Sequence, residues 1–126
     1  NSMTYILNLT QHAATPPQIE AGVVEPDDTT KAEIRSLLTF TSIPDFFEIR
    51  VRAKALADIL NDSGFTVAMI GGAPYLMGPL EYALKLQGYS AVYAFSRRES
   101  TEVDDGNGGV RKVAVFRHLG FVSSAP

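Results

Sequence analysis

The chain has 126 residues, 45% of them hydrophobic and 20% charged, with a net charge of −3 and no cysteine. Length and balance fit one globular domain with a real core rather than a disordered segment. The lack of cysteine excludes disulfides and thiolate metal sites, and the acidic balance argues against a duplex nucleic-acid binder, which carries a basic face. A short anionic ligand in a local basic pocket stays open. No apolar run approaches the ~20 residues that span a bilayer, so no membrane contact is expected. No signal-peptide pattern follows Met3, and a cytoplasmic setting is expected. Residues 1–2 read as an expression scar, 3–122 as one domain and 123–126 as a frayed tail.

Residues 5–9 form a short apolar run and predict the first strand, followed by the polar Thr10, Gln11 and His12. A short helix is expected to begin at Pro16, and the polar stretch 22–28, with Pro26, reads as a surface loop. Thr29 or Thr30 then caps a helix carrying Ile34, Leu37 and Leu38. A longer helix begins near Pro44, with Ser42 and Asp45 as capping candidates. Its buried stripe is Phe46, Ile49, Ala53, Leu56 and Leu60, while Arg50, Arg52, Lys54 and Asp58 read as a solvated face. Gly64 ends it.

Residues 67–70 are apolar, too short for a helix and bounded by Gly71 and Gly72, which predicts a buried strand. Pro74 opens another helix, with Leu76, Leu80, Ala83 and Leu84 at helical spacing and Gly88 after its end. The first strand would thus reach the second through a crossover of about fifty residues, ample for parallel pairing. Residues 89–95 suit a third strand by propensity. The turn-rich stretch 104–109 predicts a hairpin loop and residues 110–116 the returning strand. The expected fold is α/β: a Rossmann-like three-layer domain with a parallel core of three strands. Helices would cover both faces, and a C-terminal β-hairpin would extend the sheet.

If the strands run parallel, Asn8, Thr10, Gln11 and His12 share the carboxyl edge with Gly71, Gly72, Ala73 and Tyr75. Ligands bind at that edge, where glycines admit close approach and a helix start presents N–H groups to an anion. The structural reading is that the glycines only make a turn, and that Thr10 and His12 only hold the next one. Arg97 and Arg98, with Ser96 and Ser100, follow the third strand, and Arg117 and His118 follow the fourth. Guanidinium forks and hydroxyls match phosphate oxygens, although Glu99 and Glu102 would serve equally as ion-pair partners. Nothing in the sequence has the spacing of a metal site, a P-loop or a hydrolase elbow, and no metal or cofactor is expected.

Three motifs in order resemble a small CRISPR-associated family with a CARF-like fold. They are Asn8-Leu9-Thr10-Gln11-His12 with Ala14-Thr15-Pro16-Pro17-Gln18, Gly71-Gly72-Ala73-Pro74-Tyr75-Leu76-Met77, and Val92-Tyr93-Ala94-Phe95-Ser96-Arg97-Arg98-Glu99-Ser100 followed by Lys112-Val113-Ala114-Val115-Phe116-Arg117-His118. Residues 20–62 show little that matches. The family often has an acidic residue and a single glycine where this chain has Ile70, Gly71 and Gly72. The resemblance implies a cyclic oligoadenylate as ligand, a homodimer, and metal-free cleavage to a 2′,3′-cyclic phosphate. It implies catalytic roles for His12, Arg98, Arg117 and His118, with ligand contacts from Asn8, Thr10, Gln11, Gly71, Gly72, Ala73, Tyr75, Ser96, Arg97 and Ser100. A non-catalytic nucleotide sensor or sponge is the second reading. A structural or partner-binding protein of phage or prophage origin is the third.

Overall fold

The apolar run near the amino end forms β1 (Ile6–Asn8), and a capping box at Thr15 and Gln18, followed by two prolines, starts α1 (Pro16–Glu20). The computed structural model describes residues 4–124, so the reading of residues 1–2 lies outside the described residues. Gly22 does not open a loop. Its carbonyl accepts from Ile6 N at 2.9 Å and leads into β2 (Val23–Val24), parallel to β1. Two valines are too few to show a period, so only the pairing reveals the strand.

Asp27, not Thr29 or Thr30, caps α2 (Asp28–Leu38) by accepting from Thr30 N at 2.7 Å. Asp45 caps α3 (Phe46–Ser63) by accepting from Glu48 N at 2.7 Å, and Gly64 ends it in the left-handed conformation, φ 84°. The rest of the chain forms β3 (Val67–Met69), α4 (Pro74–Leu86), β4 (Ser90–Asp104) and β5 (Val110–Ser123). The tail expected to fray starts as strand: Ser123 pairs with Val92, and Ser124 N donates to Ala91 O at 3.0 Å. Residues 125–126 lie outside the described residues.

The sheet order is β2-β1-β3-β4-β5. The first four strands are parallel, one more than expected, and β5 returns antiparallel. On one face α2, α3 and α4 bury Ile34, Leu56, Leu60, Leu80 and Leu84 against Leu7, Leu9, Ala68, Ile70 and Ala91. The other face carries only Ile6, Val23 and Met69, joined by Ala14, Val67, Val92 and Phe121. Helical cover was expected on both faces, but α1 buries no residue and the second face is closed by loop and strand side chains. The reason is length: five residues make little more than one turn. No helix among the described residues is long and apolar enough to cross a membrane.

Two positions on α3 depart from expectation. Phe46 is 67% exposed and lies outside the buried stripe, where Ala57 is found instead. Arg52 does not belong to a solvated face. Its guanidinium donates to Ser36 O, Leu37 O and Thr39 O, pairs with Glu48 at 2.8 Å and lies 4.2 Å from the Phe40 ring centroid. It adds donors to carbonyls at the end of α2, of which Ser36 O also accepts from Thr39 N at 3.3 Å.

Candidate functional site

The carboxyl ends of β1 and β3 lie side by side, with Asn8 opposite Met69 and Leu9 N donating to Met69 O at 2.9 Å. From β1 the chain turns outward to β2, and from β3 it turns the other way to β4. Such a divergence is a topological switch point, and in open α/β sheets ligands bind outside the carboxyl ends of the strands at such a point. The loops that flank it are the two nominated from sequence. A Cβ at Gly71 would sit 3.6 Å from Thr10 Cγ2, so the β1 and β3 loops touch. Gly72 has φ 154°, and a Cβ there would approach Met77 Cε at 3.4 Å and Leu38 Cδ2 at 3.6 Å. Ala73 then starts α4 without any side-chain cap. Tyr75 in the first turn is half exposed and stacks edge-on against Phe40, with centroids 5.2 Å apart.

The β1 loop is held from beneath. Asn8 is fully buried. Its amide donates to His12 O at 2.8 Å and to Glu25, and its carbonyl accepts from Thr10 N at 2.9 Å and Thr10 Oγ1 at 2.7 Å. Lys31, only 6% exposed, donates to Thr10 O at 2.9 Å and His12 O at 2.7 Å and pairs with Glu25 at 3.4 Å. Arg35 Nε adds a bond to Gln11 O at 3.2 Å. Burial alone would raise the Glu25 carboxyl, but hydrogen bonds from Asn8 and Ala14 and the Lys31 charge outweigh it and hold the group below its usual range. Asn8 and Thr10 therefore shape this loop through their own side chains, and the side chains of Gln11 and His12 are left exposed above it. Sequence reasoning missed Glu25 and Lys31. The available signal for Lys31 was its place three residues before Ile34, on the buried stripe of α2.

The remaining nominated residues lie on the hairpin. β4 passes the end of β3 at Val92 and continues to Asp104, so Ser96 stands roughly 13 Å farther along the strand. Ser96 pairs with His118, Arg97 with Arg117 and Arg98 with Phe116, after a register shift between Phe95 and Ser96. Arg97, Arg98, Ser100 and Arg117 are exposed, and Arg117 meets Glu99 at 3.9 Å. The His118 ring stacks edge-on against Phe121 at 4.9 Å, and its Nδ1 is buried with no hydrogen-bond partner among the described residues. The structure thus gathers Asn8, Thr10, Gly71, Gly72 and Ala73 at one edge of the sheet and sets the arginine and serine group on an arm beyond it. Two cavities lie elsewhere, and none of the nominated residues lines either one.

Residues 4–122 match the family model described as uncharacterized protein MJ1673 family. The chain belongs to that family. The match runs from before β1 to the penultimate residue of β5, so the sheet edge and the hairpin arm both lie inside the MJ1673 unit. No curated protein and no solved structure matches the chain.

Proposed function

We propose that this MJ1673-family chain binds a small phosphate-bearing nucleotide at the carboxyl edge of β1 and β3, with a cyclic oligoadenylate as the first candidate. The observation that supports this reading is the switch point itself, where two touching loops meet the uncapped start of α4. A phosphate facing that start gains from the helix dipole and from the Tyr75 N–H, since Pro74 has none and Leu76 N and Met77 N donate to Ala73 O. The sheet then serves as a Rossmann-like platform. Arg98, with Ser96 and Ser100, supplies charge-assisted and neutral bonds to phosphates that extend beyond the edge. Cleavage would need a ribose 2′-hydroxyl held in line with the phosphorus, Arg98 or Arg117 on the phosphorane, and His12 or His118 as acid or base. Binding needs the edge and the donors of the arm, and none of this acid–base chemistry.

Titration calorimetry with cyclic tetra-adenylate tests it. Gly71→Ala places a methyl in ordinary contact with Thr10, at 3.6 Å and without backbone strain, so folding is retained while phosphate approach narrows. We expect Gly71→Ala and Arg98→Ala each to weaken binding by ~2–5 kcal/mol with little change in melting temperature. An Arg111→Ala control at the far end of the arm should bind like wild type. No binding by wild type removes the proposal, and equal affinity for Arg98→Ala takes that side chain out of the site. Incubation in EDTA, with product separation, distinguishes cleavage from binding alone.

A further inference from the structure

The outer side of α3 and α4 is apolar and uncovered. Phe46 is 67% exposed, Phe47 75%, Val51 51%, Tyr82 63% and Leu86 68%, and all five line one groove of about 940 Å³ between the helices. Together they present on the order of 600 Å² of aromatic and aliphatic surface. A contiguous patch of that size is at the top of what monomeric proteins expose, and it approaches the ~800 Å² per partner of a stable interface. Gly78 is among the residues that line the groove, and a Cβ there would meet nothing within 4 Å.

We propose that this face is the interface of a homodimer, with α3 and α4 of one copy packed by a two-fold axis on α3 and α4 of a second. The charge pattern specifies the second copy as occupant. Arg50 and Asp58 lie on the same wall of the groove, eight residues apart, with Lys54 midway. A two-fold axis crossing α3 near Lys54 sets Arg50 of each copy against Asp58 of the other, and these two cross-pairs offset the meeting of the two Lys54 side chains, each held by its own Asp58. Arg50 has no ion pair among the described residues and rests on the Phe46 ring, 5.8 Å from its centroid. Asp58 holds Lys54 at 2.9 Å and accepts from Gln87 at 3.1 Å, which keeps its carboxylate fixed at the groove. This contact stands independently of the nucleotide reading, and it is tested without nucleotide.

Light scattering on the purified chain at tens of micromolar should give twice the monomer mass. Tyr82→Glu and Leu86→Glu should each give a monomer that keeps the wild-type circular dichroism spectrum, because both side chains are exposed, and whose melting temperature loses the concentration dependence of a dimer. The chain has no native cysteine, so Lys54→Cys provides a single thiol beside the proposed axis, and a short bismaleimide should join two copies in high yield. The same reagent should leave a Lys112→Cys variant, on the hairpin arm, un-crosslinked. A monomeric wild type overturns the proposal, as does a dimer that survives both glutamate substitutions. Crosslinking through Lys112→Cys and not Lys54→Cys would move the contact to the arm. If a glutamate variant fails to fold, the crosslinking pair decides alone.

Discussion

Lys31 is buried because its ammonium finds oxygen on every side. It bonds to two loop carbonyls and the Glu25 carboxylate, and Glu25 in turn accepts from Asn8 and from Ala14 N at 2.7 Å. A buried cation without such partners would cost several kcal/mol. The cluster therefore fixes the backbone of residues 10–14, on which the proposed site depends. The Glu25 carboxyl is held below the usual carboxylate range in the folded chain. A depressed pKa contributes stability that is present above the unfolded value and is lost as pH falls through the folded one. We expect melting temperature to fall as the medium is acidified below about pH 4.5, and Glu25→Gln to flatten part of that fall. At neutral pH the same substitution should lower the melting temperature, since Lys31 loses its counter-charge. A variant whose acid profile overlays that of wild type would show that the ion pair contributes nothing to folding.

At the scale of elements the hairpin arm stands apart. β4 and β5 pair from Val92 with Ser123 out to Asp104 with Val110, but only the first few pairs lie over the body. Tyr93 at the base is anchored by its hydroxyl to Glu81 of α4, where burial and that carboxylate push the phenol well above its usual range. Beyond the bulge at Phe95 and Ser96 most side chains of the ribbon are exposed among the described residues, Phe116 to 74%. A two-stranded ribbon without a third strand or a helix is marginally stable in water. Hydrogen exchange read by mass spectrometry should show the amides of residues 97–117 exchanging well before those of β1 and β3. Equal protection across arm and body in the free chain would mean that something covers the arm.

The whole molecule is held by one principal cluster that draws on α2, α3, α4 and three of the five strands, β1, β3 and β4, while β2 and β5 contribute to the smaller one. Leu80 of α4 is fully buried within it, beside Leu56 and Leu60 of α3. Leu80→Ala should cost ~2–5 kcal/mol, the lost transfer energy plus that of the cavity left behind. Because every layer shares the cluster, the loss should shift a single urea transition without splitting it. Far-ultraviolet circular dichroism and tyrosine fluorescence are suitable probes, since the chain has no tryptophan. A cost below about 1 kcal/mol would mean that the site collapses around the missing side chain, and that packing there is loose.

Local information carried much of this fold. α3 and α4 were legible because apolar spacing, Asp45, Pro74 and Gly64 act within a few residues of one another, and β1 and β3 because a short apolar run between polar or glycine boundaries has few other uses. The carboxyl edge was legible for the same reason, since polar and glycine residues follow those strands directly. What depended on distant partners was not. Val23 and Val24 are a strand only because Gly22 and β1 meet, and Lys31 is interior only because Asn8, Glu25 and the β1 loop converge on it. Arg52 caps a helix whose C-cap residue, Thr39, lies thirteen residues before it. Periodicity and capping are properties of neighbours in sequence. Burial of a charge, pairing of a two-residue strand and the face a helix covers are free energies of contacts that exist only once the chain has folded.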